Sequence, residues 1–337
     1  IIDGSSVFVY ENNIDVDPLF GDDYTLSDGS LCIDAASGDG EYEGYAPDMG
    51  AYESSYEGII GCTDYLALNF NPDAWIEGEC FYASEWYVAT SGDDVEGLGT
   101  DESPFASIQH ALAFITNISQ EENNELQTIY LENGTYYENI SWPALGNIQL
   151  IGEDRDSTIV NGNDTGIVID MTSLNGIEDF GTLISHLTIT NGYTSGGEGG
   201  GLRISGSPTL QYLNIVGNHA YHGGGISILG GPGTTIQNTL ISGNYASRGG
   251  GGFHSSCSPY CVTTFINTTM VGNTAAQYGP AIYNGMWNSR TIAFNSIIEG
   301  DIYNNSIIDF YYTYFSGSVS AQSVSQNNAL GAILLNE

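Results

Sequence analysis

The second half of the chain contains an internal repeat, and this repeat constrains the fold more than any other feature of the sequence. Three copies end in the same Gly-Asn pair, at Asn218, Asn244 and Asn273, and each is followed by a glycine-rich turn and an apolar residue. Equivalent positions are separated by 24 to 29 residues. Because three strands of about five residues and their turns fill such a period, the repeat predicts the coils of a parallel β-helix. A β-sandwich is disfavoured, since it gives no reason for glycine-rich corners in register.

Apolar residues of the aligned copies fall into three columns. The columns are Ile189, Ile215, Ile241, Met270 and Ile298; Leu202, Ile226, Phe253 and Ile282; and Ile184, Leu210, Ile236, Phe265 and Ile292. A single coil encloses too little apolar surface to be stable alone, so we expect the columns to stack into one continuous core. Asparagine also recurs at one position, in Asn238, Asn267 and Asn295, and we expect these side chains to form a hydrogen-bonded ladder.

A short amphipathic segment lies upstream of the repeats. Ser103 and Pro104 are typical of a helix start, and apolar residues at helical spacing follow them. These apolar residues are Ile108, Ala111, Leu112 and Ile115. The pattern predicts a helix near residues 104–118, which we expect to cover the open end of the β-helix and protect its unpaired strand edge.

Motifs around this helix carry a family resemblance. Residues 87–93, 103–112, 134–139 and 150–162 match in order the opening segments of secreted, pectin-lyase-like β-helix proteins of bacteria. The glycine-rich repeats further on resemble those of polymorphic outer-membrane proteins and related adhesins. The resemblance covers roughly residues 84–310 and implies an all-β, right-handed parallel β-helix with an N-terminal capping helix.

The order of segments along the chain is permuted relative to that family. Residues 1–57 resemble the segment that closes such a β-helix, yet here they come first. Residues 58–83 resemble a short disulfide-closed spacer of bacterial surface proteins, and residues 84–337 form the predicted β-helix. The sequence is therefore expected to be part of a longer secreted product, or to complete a neighbouring copy. Both alternatives predict that copies of the chain assemble head to tail.

The charge balance of the chain is strongly acidic. It has 41 acidic residues against four arginines and no lysine, which gives a formal net charge of −37. Such a surface disfavours nucleic acid and anionic membranes as partners. No apolar run reaches the roughly 18 residues that span a bilayer, so membrane insertion is not expected. The acidity favours divalent cations, although it also serves to keep a secreted protein in solution.

Acidic loops are the candidate metal sites, with calcium as the expected structural ion. Carboxylates that alternate with glycine in a turn supply the hard oxygen ligands that calcium requires. The alternative is that these carboxylates cap backbone amides in solvated turns. The candidate ligands are Asp15, Asp17, Asp22, Asp23, Asp64, Asp73, Asp93, Asp94, Glu96 and Asp101.

Cysteine spacing and glycosylation sequons point to an extracellular setting. Two close pairs, Cys62 with Cys80 and Cys257 with Cys261, predict disulfides and an oxidising compartment, which leaves Cys32 as a buried thiol. Possible glycan acceptors are Asn117, Asn133, Asn139, Asn163, Asn267 and Asn304.

The function expected from these patterns is structural. Few acidic residues occur between residues 184 and 298, and Arg203 and Arg248 have no carboxylate in register with them, so no enzyme is expected. We expect a cell-surface fibre or giant adhesin, with a carbohydrate or another cell surface as a possible partner. Two alternatives stay open: a polysaccharide lyase or hydrolase of the β-helix fold, and a non-catalytic carbohydrate-binding module that uses exposed tyrosines. Acids clustered beside an arginine on one sheet face favour the enzyme.

Overall fold

A computed structural model of the chain describes most of its residues. The described residues are 17–21, 24–37, 47–49, 52, 59–74, 76–118, 125–177, 181–257, 261–285, 289–321 and 333–334. The chain divides into two compact units, Ile1–Ala83 and Ser84–Glu337. Within the described residues, no helix is both long enough and apolar enough to span a membrane.

The described part of the first unit is small and held together by local contacts. Strands Ile60–Gly61 and Ile76–Glu77 pair in parallel. A disulfide joins Cys62 to Cys80, whose Cα atoms are 4.9 Å apart. Cys32 is a buried free thiol that packs with Leu26 and Ile33. The disulfide closes residues 62–80 into a loop, which restricts the unfolded chain.

The second unit is a right-handed parallel β-helix built from three long sheets, in which every strand pairing is parallel. Sheet A consists of Glu85–Val88, Gln127–Leu131, Ile148–Gly152, Leu183–Ser185, Thr209–Gln211, Gly233–Gln237, Val262–Ile266, Arg290–Phe294 and Ile307–Tyr311. Sheet B consists of Gly134–Tyr137, Thr158–Asn161, Thr188–Thr190, Asn214–Val216, Leu240–Ser242, Thr269–Val271, Ile297–Glu299, Tyr314–Ser316 and Ile333–Leu334.

A third long sheet completes the coils, and a short fourth sheet adds a strand to three of them. Sheet C consists of Ile140–Ser141, Ile169–Met171, Leu202–Ser205, Ile226–Gly230, Phe253–Ser255, Ile282–Asn284, Ile302–Asn304 and Val319–Ala321. Sheet D consists of His219–His222, Tyr245–Gly249 and Thr274–Ala275, just before the glycine-rich corners that lead into sheet C. A 3-10 turn, Thr172–Leu174, follows one strand of sheet C. The predicted fold class is confirmed.

The core follows the predicted columns with one correction. Pairing in register joins the columns that begin at Ile189 and Leu202, and their members are buried. In the third column Phe265 pairs with Ala293 rather than with Ile292. Ala293 is fully buried, whereas Ile292 lies on the other face of its strand. The prediction for Ile292 was wrong because a shift of one residue moves a strand side chain to the opposite face.

Asparagine side chains link successive coils at two positions in the stack. One link of the predicted ladder forms at the corner between sheets A and B, where the Asn267 side chain donates to that of Asn238 at 3.2 Å. A second ladder is buried, and in it Asn218 donates to Asn244, which donates to Asn273, each at 3.0 Å. These side chains satisfy polar groups inside the wall of the β-helix that would otherwise lack partners.

The capping helix, α1, spans Ile108–Ile118 and buries Ile108, Ala111, Leu112 and Ile115, as the spacing predicts. It begins four residues later than expected, because Phe105 still forms a parallel bridge with Val88 of sheet A. Carboxylates from elsewhere in the chain accept hydrogen bonds from the N–H groups at its start. Asp94 accepts hydrogen bonds from the amides of Ala106 and Ser107. Glu138 accepts those of Ile108 and Gln109. Acidic groups at this position also complement the helix dipole.

Candidate functional site

The outward face of sheet C carries a row of polar and aromatic side chains, one on each successive strand. In register along the sheet they are Asp170, Arg203, Ser227, His254, Tyr283 and Tyr303. Strand geometry explains the row, since alternate residues point to opposite faces. Ile169 and Met171, on either side of Asp170, are fully buried in the core. The repeat that builds the core therefore also aligns this outward row.

Asp170 and Arg203 form an ion pair at one end of the row. The Arg203 Nε donates to Asp170 Oδ1 at 3.2 Å, and Nη2 donates to Oδ2. Both side chains are about one-quarter to one-third exposed. Burial opposes ionisation of Asp170, but the hydrogen bonds from Arg203 and Thr172 outweigh it and hold the pKa of this carboxyl below its usual value. Asp170 is therefore ionised near neutral pH, and its two-point contact fixes the guanidinium plane.

Glu198 is a second carboxyl group that interacts with Arg203. It lies just before the glycine-rich corner that leads into the Arg203 strand, and it accepts a hydrogen bond from the Ser256 hydroxyl at 3.3 Å. Burial raises the pKa of Glu198, although the Ser256 hydrogen bond and the charge of Arg203 lower it in part. The surroundings of Glu198 and Asp170 thus shift their pKa values in opposite directions. Carboxyl groups separated in this way are suited to divide the roles of acid and base.

A buried serine and histidine occupy the middle of the row. Ser227 Oγ lies 3.0 Å from His254 Nδ1, and both residues are almost fully buried. Burial and the neighbouring His222 lower the pKa of His254 to about 3, so the imidazole is neutral. The His254 ring stacks on His222 and on Tyr283, at centroid distances of 4.7 and 5.1 Å. The pair is closed off from solvent, which makes it a support for the surface groups rather than a reaction centre.

An aromatic cluster forms the other end of the row. The rings of Tyr278, Tyr283 and Tyr303 contact one another at centroid distances of 5.0 to 5.8 Å. Beside them, the Arg248 guanidinium lies over the Tyr221 ring at 5.7 Å and donates to its hydroxyl at 2.8 Å. Such ring faces are the surfaces on which the apolar faces of sugar rings pack.

The predicted calcium loop of residues 93–101 uses its carboxylates to cap backbone amides. Asp93 accepts the N–H groups of Val95 and Glu96, and these bonds lower the pKa of Asp93. Asp94 caps α1, while Glu96 and Asp101 are exposed. The loop therefore matches the alternative of capped turns, because hydrogen bonds already engage the oxygens of its two best placed carboxylates.

Of the other predicted metal ligands, the structure describes Asp17, Asp64 and Asp73, and these do not form a group that could hold a metal ion. Asp64 accepts hydrogen bonds from the Leu66 amide and the Tyr82 hydroxyl, and burial together with Asp64 raises the pKa of Tyr82 to about 12. Asp17 accepts the amide of Leu19, and Asp73 is exposed.

Three further predicted ligands, Asp15, Asp22 and Asp23, lie outside the described residues. Among the residues that are described, no three His, Cys, Asp or Glu side chains converge on a site for a metal ion. Calcium binding stays a prediction.

Both predicted cysteine pairs are joined, and five of the six sequon asparagines are exposed. Cys257 is joined to Cys261, in addition to the Cys62–Cys80 disulfide. The exposed sequon asparagines are Asn117, Asn133, Asn139, Asn163 and Asn267. Asn304 is buried, where it accepts a hydrogen bond from Asn284 and donates to the Ser306 carbonyl. A glycan on Asn304 is incompatible with these buried contacts.

Sequence reasoning missed the group formed by Asp170, Arg203 and Glu198. We expected Arg203 to lack a carboxylate in register, but Asp170 pairs with it directly. The separation of these two residues is 33, longer than the 24 to 29 of the repeat, because the 3-10 turn Thr172–Leu174 lengthens this coil. The available signal was Asp170 itself, a lone acid between the apolar residues Ile169 and Met171.

Comparisons with known proteins agree with the fold. No protein-family model matches the chain, and no curated protein matches it. The solved structures that resemble it include YbhC of Escherichia coli, 14% identical over 73% of this chain and 70% of its own, with a TM-score of 0.41. Pectin methylesterase from carrot is 13% identical, covering 77% and 91%, with a TM-score of 0.39. Pectin methylesterase from Yersinia enterocolitica is 15% identical, covering 68% and 94%, with a TM-score of 0.40.

These neighbours contradict the prediction that the chain is not an enzyme, and that prediction was wrong. Its physical reason, an arginine without carboxylates in register, fails as well, since Asp170 pairs with Arg203. At these identities the resemblance shows the fold alone. The parallel β-helix fold itself follows from the chain's own strand pairing.

Proposed function

We propose that the chain is a carbohydrate-active enzyme that cleaves bonds of a polysaccharide at the outward face of sheet C. The observation that carries the proposal is the pair of carboxyl groups, Asp170 and Glu198, that interact with the same arginine and have pKa values shifted in opposite directions. Asp170 beside Arg203 on one sheet face, with Glu198 close to the same arginine, is the kind of arrangement that favours an enzyme over a fibre.

The chemistry follows from the two protonation states. Glu198 keeps its proton to higher pH than an ordinary glutamate, so it can protonate the oxygen of a leaving group. Asp170 stays ionised and can act as the base that activates water or as a nucleophile. Arg203 holds Asp170 in place and supplies positive charge next to the oxygen on which negative charge develops.

The aromatic cluster supports a sugar polymer as the substrate. Neighbouring parallel strands are about 4.8 Å apart. Tyr283 lies three strands from Arg203 in the same row. This spacing places the ring faces within reach of a polymer that extends along the sheet from the carboxyl pair. Tyr278, Tyr283 and Tyr303 would then hold sugar rings of the polymer rather than react with it.

The direct test is an activity screen on acidic and neutral polysaccharides. The screen includes methyl-esterified pectin, because the structural neighbours include pectin methylesterases. New reducing ends, unsaturated ends and released methanol are measured together, so that hydrolysis, elimination and ester cleavage are distinguished. Glu198→Gln and Asp170→Asn are each expected to lower the rate about 100-fold or more.

The matched control is Asp156→Asn, which removes a surface ion pair with Arg155. This variant is expected to keep the rate of the unaltered protein. Thermal melting of every variant shows whether it folds. The proposal is contradicted if no polymer is cleaved, or if the Glu198 and Asp170 variants react as fast as the Asp156 variant.

The setting proposed for this activity is extracellular, because disulfides persist in oxidising compartments. Head-to-tail assembly of copies, expected from the permuted order of the segments, stays a prediction alongside it. Filaments in native preparations, seen by electron microscopy, would support assembly. A monomer at all concentrations would contradict it.

A further inference from the structure

A cleft of about 420 Å³ lies on the outward face of sheet A, across the first three coils and on a different sheet from the carboxyl pair. Its volume is within the range of small-molecule binding sites. Tyr87, Tyr130 and Ile151 are in register on adjacent strands and line the cleft. The two tyrosine rings are 5.3 Å apart and tilted by 31°, and the Tyr130 hydroxyl is hydrogen-bonded to Glu85. This hydrogen bond restrains the Tyr130 ring, so the cleft has a defined aromatic surface.

Negative charges stand next to this aromatic surface without a positive partner. Glu132 and Glu153 directly follow Leu131 and Gly152, which pair across neighbouring strands, so two like charges are adjacent. Asp101 lines the same cleft, and its lining contains no basic side chain. Like charges on adjacent strands are unfavourable unless a cation offsets them.

The buried Tyr136 lies in the same negative field. Burial raises the pKa of its phenol, and the charges of Glu132, Glu138 and Glu153 raise it further. The Glu153 carboxylate accepts one hydrogen bond from the neutral Asn133 amide, which leaves its charge uncompensated. A ligand that brings positive charge into the cleft relieves this repulsion.

We propose that the cleft binds an organic ammonium group, carried by an amino sugar or a polyamine. A tyrosine face attracts a cation through its quadrupole, and the flanking carboxylates supply the opposite charge. A metal ion fits less well, since ring faces offer no oxygen ligands. Among the residues that the structure describes, no three acidic groups converge to hold such an ion. The site is independent of the reaction proposed for sheet C.

Isothermal titration calorimetry at physiological salt tests the proposal with three probes. The probes are a glucosamine oligosaccharide, spermidine, and an N-acetylglucosamine oligosaccharide of the same length as the uncharged control. Either ammonium probe is expected to bind, and the N-acetylated one is not. Binding of the sugar alone identifies an amino-sugar site, and binding of spermidine alone identifies a polyamine site.

Variants separate a defined site from general attraction to an acidic protein. The double variant Glu132→Gln/Glu153→Gln is expected to weaken binding about 10-fold, and Tyr130→Leu about 3-fold. The control Glu299→Gln removes one exposed charge from sheet B and is expected to change the affinity less than 2-fold. Glu132 and Glu153 are exposed, so their variants keep the test decisive even if Tyr130→Leu does not fold. Absence of binding by both ammonium probes, or an equal loss in Glu299→Gln, overturns the proposal.

Discussion

Replacement of Asn244 by alanine tests how the buried ladder stabilises the β-helix. The Asn244 Oδ1 accepts hydrogen bonds from the backbone and side-chain N–H groups of Asn218, both at 3.0 Å. Its Nδ2 donates to the Ile215 carbonyl at 2.8 Å and to Asn273 at 3.0 Å. All of these contacts are buried, so water cannot replace them without entering the wall of the helix.

The magnitude follows from the groups that lose a partner. In Asn244→Ala the Asn218 backbone N–H is left without its acceptor, whereas the Asn218 side-chain amide keeps the carbonyls of Ile189 and Val216. A buried, unsatisfied polar group costs about 1–3 kcal/mol, which is the expected loss. Urea unfolding followed by circular dichroism measures this loss by linear extrapolation.

The matched control for this experiment is Asn214→Ala on the neighbouring strand. The Asn214 side chain donates to Asp156 at 2.9 Å, but this bond is exposed to solvent. Water replaces such a partner, so the expected loss is about 0.5 kcal/mol or less. A loss below about 1 kcal/mol in Asn244→Ala, or one equal to that of the control, would refute the argument that the buried ladder is a main source of stability.

Three further predictions concern the fold and its ions. Tyr312 has a φ of +49° and is 72% exposed. Because asparagine tolerates this conformation better than tyrosine, Tyr312→Asn is expected to raise the free energy of unfolding by about 0.5–1 kcal/mol. A lower urea midpoint for this variant would contradict the prediction. Ala293 is fully buried, so Ala293→Leu is expected to lower the free energy of unfolding by about 1–3 kcal/mol through overpacking. Ile292→Leu is expected to change this free energy little. If urea unfolding shows the larger loss in Ile292→Leu, the corrected register is refuted. If calcium is structural, chelation lowers the melting temperature by several degrees, and an unchanged melting curve argues against a structural ion.

The periodic features of the fold were predictable from the sequence. Columns such as Ile189 with Ile215 recur at nearly constant spacing, and glycine corners mark four of the coils, at Gly199, Gly223, Gly250 and Gly279. The prediction of the third column was wrong at Ile292. Its strand, Arg290–Phe294, has apolar residues at adjacent positions, so the alternation of apolar and polar residues does not show which face of the strand is buried. The start of α1 was also misplaced, since Phe105, inside the predicted helix, instead forms a parallel bridge with Val88.

The candidate site was not predictable by the same reasoning. A constant repeat aligns residues only where coils are equal in length, and Asp170 precedes a lengthened coil. Glu198 reaches Ser256 over a separation of 58 residues, so no local pattern connects the two. Burial raises the pKa of both carboxyl groups, and the hydrogen bonds from Arg203 and Thr172 bring that of Asp170 below its usual value. Burial and these hydrogen bonds both depend on the folded structure and cannot be read from the spacing of acidic residues.

The pH dependence of kcat/KM on the cleaved polysaccharide tests the proposed active site most directly. The active form has Asp170 ionised and Glu198 protonated. The rate is therefore expected to fall as pH drops through the lowered pKa of Asp170, and to fall again as pH rises through the raised pKa of Glu198. In Glu198→Gln the alkaline limb is expected to disappear from the residual activity, while Asp156→Asn keeps the full profile. An alkaline limb that persists in Glu198→Gln would contradict the assignment of Glu198 as the acid.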